Sequence, residues 1–168
     1  MSRRVGFVLL AAMMLTLAGC VTEDEPTEES RVKPGDRLPE FSVVMDDGSR
    51  LSTADLRGRE SVIVLFNTDC PDCRRELPVV QELQDRNPEL MIACIAREES
   101  AADIAAYWKS NGLTLRYSPQ TDRRVYNLFA ESVIPRTYVA DSTLRVIAAF
   151  AGEERMSVAE LERILGRR

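Results

Sequence analysis

The sequence predicts a single α/β domain in which helices flank a central mixed sheet and a β-hairpin stands in front. Three observations carry that prediction. Residues 62–66 and 90–96 are continuous apolar runs, the pattern of strands buried on both faces, and each is followed by a segment of helical composition. Residues 136–140 and 144–150 are two further β-prone runs joined by the turn Asp141-Ser142-Thr143, which makes a terminal hairpin. Two thiols, in Cys70-Pro71-Asp72-Cys73, sit where the first buried strand meets its helix. With 168 residues, 45% of them hydrophobic and 29% charged, the chain has room for one ordinary domain but not comfortably for two. The formal charge of −5 argues against a nucleic-acid partner, which normally requires a basic face.

Taken in order, the chain opens with Arg3 and Arg4, continues through an apolar stretch over residues 5–17 and reaches Leu17-Ala18-Gly19-Cys20. A charged start, an apolar core too short to span a bilayer comfortably and small residues before a cleavage point read as an export signal over residues 1–19. The last four residues resemble the lipobox of bacterial lipoproteins, which implies lipidation at Cys20. A cleaved secretory signal with an incidental cysteine is the plainer alternative. Residues 20–33 follow as an acidic tether, with Glu23, Asp24, Glu25, Glu28 and Glu29 clustered around Pro26. An acidic run in that place also resembles the surface-export signals of some lipoproteins. Val21 is not the aspartate associated with retention in the inner membrane, which favours the outer one.

The domain is expected over residues 34–168, from Pro34-Gly35-Asp36 onward. Residues 41–45 and 50–52 form a hairpin around Asp46-Asp47-Gly48. Residues 53–56 make a helical turn closed by Gly58, and the first buried strand follows. The thiol-bearing helix runs to about Arg86 with Pro78 inside it, where a missing N–H should kink the axis. Ser100 caps a helix that stops at Asn111-Gly112. A short strand near 115–117, a helix over about 122–129, the terminal hairpin and a helix capped by Ser157 complete the order βαβαβαββα. Trp108 and Tyr107 read as core or helix-face residues, and nothing in the pattern calls for a cofactor.

The chemistry lies in the thiols. A helix N-terminus presents unpaired N–H groups and partial positive charge, which favour a thiolate at Cys70. Two intervening residues bring Cys73 within bonding distance, so a mixed disulfide at Cys70 can be resolved by Cys73. Asp69 and Asp72 bracket Cys70 with negative charge and oppose the helix dipole. A Cys-x-x-Cys can also be half of a zinc or iron–sulfur site, which usually needs four ligands. The chain has no histidine, and its other cysteines are Cys20 and Cys94, so a metal is short of ligands. Ser-His-Asp and Cys-His nucleophilic sites are excluded for the same reason. Cys94, inside a predicted central strand, reads as a small buried hydrophobe, with a third redox cysteine as the alternative.

Residues 34–165 together resemble the thioredoxin fold, and within it the TlpA/ResA-like group of membrane-tethered thiol–disulfide oxidoreductases. The matching stretches are Pro34-Gly35-Asp36, Leu56-Arg57-Gly58, Cys73-Arg74-Arg75-Glu76-Leu77-Pro78 and Ile134-Pro135-Arg136-Thr137. The resemblance implies a cis-proline at Pro135 facing the thiols, with the Ile134 backbone exposed to pair with a substrate strand. It implies that Glu76 tunes the thiols or moves protons, against the simpler reading of a glutamate that favours the helix dipole. Two features depart from the pattern: Asp69 stands where tryptophan is common, and residues 61–66 contain no buried carboxylate.

The resemblance therefore implies an envelope enzyme that acts on exported thiol proteins such as apocytochrome c, reducing them with electrons from a membrane thiol reductase. A peroxidase of the peroxiredoxin type wants threonine three residues and proline seven residues before the reactive cysteine, where this chain has Asn67 and Ile63. A Sco-type metallochaperone wants Cys-x-x-x-Cys and histidine, both lacking. A redox-silent adaptor would have no use for the intact cysteine pair.

Overall fold

The computed structural model describes residues 30–152 and 156–167. Strands β1 (Ser42–Val44) and β2 (Arg50–Ser52) form an antiparallel hairpin. Its turn is tied by the Met45 N–H to the Ser49 carbonyl at 2.8 Å and relieved by Gly48 at φ +78°. A 3₁₀ turn (Thr53–Leu56) follows, opened by Asp55, whose carboxylate accepts from the Ser52 N–H at 2.8 Å.

The main sheet contains β3 (Ser61–Phe66), β4 (Met91–Ala96), β5 (Tyr117–Ser118), β6 (Arg136–Ala140) and β7 (Val146–Ala151), in the spatial order β5-β4-β3-β6-β7. β3 runs parallel to β4 and antiparallel to β6. Every residue of β3 is buried, as its unbroken apolar run requires of the middle strand of a sheet covered on both faces. Helices α1 (Pro71–Arg86), α2 (Ala101–Asn111), α3 (Tyr126–Phe129) and α4 (Val158–Ile164) complete the element order expected from the sequence. Ser100 caps α2 by accepting from the Asp103 N–H at 3.2 Å, and Gly112 ends it at φ +64°. Helix α1 continues through Pro78, which has no N–H to offer the Arg74 carbonyl.

Three boundaries differ from expectation, each for a local reason. Residues 122–125 are not helical, because the Asp122 carboxylate accepts from the Arg124 N–H at 2.9 Å and holds a turn there; only Tyr126–Phe129 coils. β7 begins at Val146, two residues late, because Leu144 closes the preceding turn at φ +70°. Packing also begins before Pro34. Ser30 pairs with Ala130, the Arg31 N–H donates to the Phe129 carbonyl at 2.9 Å, and Val32 is buried in the core. Among the described residues, no helix is long and apolar enough to cross a membrane. The expected signal peptide and Cys20 lie outside the described residues.

Candidate functional site

Cys70 is the N-cap of α1, in extended conformation, and Pro71 occupies the first helical position, where a missing N–H costs nothing. The loop that delivers it is tied at every residue. The Cys70 N–H donates to the Asn67 carbonyl at 3.1 Å, and the Asp69 N–H donates to Asn67 Oδ1 at 2.8 Å. Asn67 Nδ2 donates to the Arg97 carbonyl at 3.0 Å, just beyond β4. Thr68 is buried, and both its N–H, at 2.9 Å, and its hydroxyl donate to the Glu99 carboxylate. Burial pushes the Glu99 carboxyl above its ordinary range, partly opposed by those two donors.

The two thiols are unequal. Cys70 is half-buried with Sγ 3.6 Å from the Ile134 carbonyl, while Cys73 is wholly buried one helical turn later. Burial, together with the neighbouring Cys70 and Glu76, drives the Cys73 thiol far upward, against one opposing hydrogen bond from the Asn67 backbone. Cys94 is fully buried in β4 and pushed upward, first by desolvation.

Glu76 is buried on the same helix face as Cys73, Leu77, Val80 and Leu83. That stripe follows helical spacing, so the burial of Glu76 could have been read from periodicity. Its carboxylate accepts from the Thr137 hydroxyl of β6. Desolvation raises it to about 7, with the Thr137 bond pulling the other way. Thr137 gives no sequence signal, since a threonine in a β-prone run reads as ordinary strand.

The Ile134–Pro135 peptide bond is cis, and the pair faces the thiols across the site. The segment in front of it is pinned by Tyr126, whose hydroxyl donates to the Val133 carbonyl at 2.8 Å, and by Arg136 Nε at 3.1 Å from the same oxygen. The acids flanking Cys70 both have cationic partners near the start of α1: Arg74 lies 3.4 Å from Asp69, and Arg75 pairs with Asp72. Among the described residues, no three His, Cys, Asp or Glu side chains converge as metal ligands would.

A mixed five-stranded sheet with helices on its faces, carrying paired thiols at a strand-to-helix turn opposite a cis-proline, is a thioredoxin-like fold and defines a thiol–disulfide oxidoreductase. The chain belongs to the Redoxin family, whose pattern matches residues 33–165. It is 22% identical over 129 residues to thiol-disulfide oxidoreductase ResA of Bacillus thuringiensis, covering 76% of this chain and 75% of the relative. It is 23% identical over 147 residues to ResA of Bacillus subtilis, covering 86% and 80%. Among solved structures, a thiol:disulfide interchange protein of the thioredoxin family from Chlorobium tepidum superimposes with a TM-score of 0.67 at 27% identity, covering 80% of this chain and 96% of that one.

Proposed function

We propose that this protein is a lipid-anchored enzyme of the cell envelope that reduces disulfides in exported proteins, apocytochrome c among them, and is itself recharged by a membrane thiol reductase. The observation that carries the reading is the inequality of the two thiols: Cys70 is reachable at a helix N-cap, and Cys73 is buried beside a carboxyl that titrates at about 7. In the forward direction the Cys70 thiolate attacks one sulfur of a substrate disulfide. A mixed disulfide forms, and the other substrate sulfur leaves as a thiolate. Glu76, ionised, takes the proton from Cys73. The Cys73 thiolate attacks the Cys70 sulfur, the remaining substrate sulfur leaves and is protonated, and the enzyme holds a Cys70–Cys73 disulfide. Two electrons have passed to the substrate.

The resemblance assigns substrate docking to Ile134 and Pro135, supported by the Ile134 carbonyl that Cys70 Sγ already reaches at 3.6 Å. Residues 1–19 as a signal, Cys20 as the lipidated residue and an acidic tether fit anchoring at the outer membrane, facing the periplasm or exposed at the surface. A compartment that oxidises thiols gives a dedicated reductant a role.

The test is the reduction potential of the Cys70–Cys73 pair, with a Cys73→Ser trap beside it. The expected potential is roughly −270 mV, as in thioredoxin, and one nearer roughly −120 mV would make the protein a disulfide donor instead. The trap should accumulate exported proteins bound covalently at Cys70. An adaptor would accumulate none.

A further inference from the structure

Arg97 takes no part in the chemistry above, yet it touches both halves of the site. Its backbone is stitched to the thiol loop: its N–H donates to the Phe66 carbonyl at 2.8 Å, and its carbonyl accepts from Asn67 Nδ2 at 3.0 Å. Its side chain, only 20% exposed, reaches the other way. One guanidinium nitrogen donates to the Ser132 carbonyl, and the guanidinium carbon lies 5.0 Å from the centre of the Tyr126 ring. Tyr126 in turn donates to Val133, the residue before Ile134. Arg123 stacks on the same ring at 5.3 Å and donates to the Glu131 carbonyl at 2.7 Å. Three consecutive carbonyls, those of residues 131–133, are thus held by Arg123, Arg97 and Tyr126.

The next residue strengthens the case. Glu98 adopts φ +57°, a left-handed conformation uncommon for a residue other than glycine, and such geometry persists only where its surroundings enforce it. It turns the chain between Arg97, which serves the 131–135 segment, and Glu99, which serves Thr68.

We infer that Arg97 is a positioning residue that sets the spacing between the Cys70 sulfur and the Ile134 carbonyl, and so governs the capture of extended protein substrates. The inference rests on the oxidoreductase reading. A protein disulfide must lie along Ile134 while its sulfur meets Cys70, so it needs both loops in register. A small disulfide needs only the thiol.

The full chain, as wild type and Arg97→Ala, would be assayed on two substrates: reduction of insulin with dithiothreitol as the electron source, and reaction of the reduced enzyme with the small aromatic disulfide DTNB. Arg97→Ala is expected to lower kcat/KM for insulin by about tenfold or more, chiefly through KM, the scale of losing one charged hydrogen bond. The DTNB rate should stay within about twofold and the reduction potential should be unchanged, as expected when thiol chemistry is untouched. Tyr126→Phe keeps the ring under Arg97 and removes only the hydroxyl on Val133, so it should show the same selectivity more weakly and keeps the test open if Arg97→Ala does not fold. Equal losses on both substrates, or an unchanged insulin KM in both variants, would overturn the inference. A wild-type protein inert towards both disulfides would instead overturn the oxidoreductase reading, and this inference with it.

Discussion

Glu76 sets the cost of a buried carboxyl against the role proposed for it above. Its carboxyl titrates at about 7 in the fold against 4.5 in an ordinary setting, because burial penalises the charge more than Thr137 rewards it. The folded state therefore holds its proton over a range where the unfolded chain has released it. Stability from this group is fully present below about pH 4.5 and is lost as pH rises through about 7, by an amount on the order of 3 kcal/mol. Glu76→Gln removes the ionisation and leaves Thr137 an acceptor. Denaturation curves should coincide for wild type and Glu76→Gln at pH 4.5, and at pH 8 the variant should be the more stable by up to about 3 kcal/mol. The same variant should lose the inflection near pH 7 in the rate at which Cys73 resolves a mixed disulfide.

At the scale of elements, the site is a meeting of strand ends. β3 delivers the thiol loop, β4 leads straight into the residues that hold that loop, Arg97 and Glu99, and β6 begins immediately after Pro135. Glu99 is the joint between the first two, since both Thr68 donors end on its carboxylate. Glu99→Ala leaves a buried N–H and a buried hydroxyl without that acceptor and should cost about 1–3 kcal/mol, measured by urea denaturation followed through the single buried tryptophan, Trp108. Glu99→Gln keeps one acceptor oxygen for the Thr68 N–H but places its amide NH2 against the Thr68 hydroxyl, so it should recover part of the loss. The hairpins, the capped helices and the buried strands were all legible in the sequence, because caps, turns and apolar runs are local signals. Glu99 was not: an acid just ahead of a helix looks like any other until β4 brings it against Thr68.

For the whole molecule, the sheet order decides what counts as domain and what counts as tether. Composition puts the start at Pro34, because residues 20–33 are polar and acidic. In the fold, Ser30 pairs with Ala130, Arg31 bonds to Phe129 and to Glu131, and Val32 enters the core. A chain beginning at Pro34 should therefore be less stable than one beginning at Ser30, by about 1–3 kcal/mol for one buried valine and its backbone bonds, with thermal melting as the check. Equal melting temperatures would return the boundary to Pro34.

The sequence by itself determined the element order, the pairing of thiols at a helix start and the exclusion of histidine-dependent chemistry. Those features depend on neighbours in the chain, on periodicity or on simple inventory. Only the tertiary structure decided that Glu76 meets Thr137, that Thr68 meets Glu99, and that Arg97 joins the two loops of the site. Desolvation and hydrogen-bond partnership belong to residues far apart in sequence, so their effects on a thiol or a carboxyl exist only once the sheet has brought those residues together.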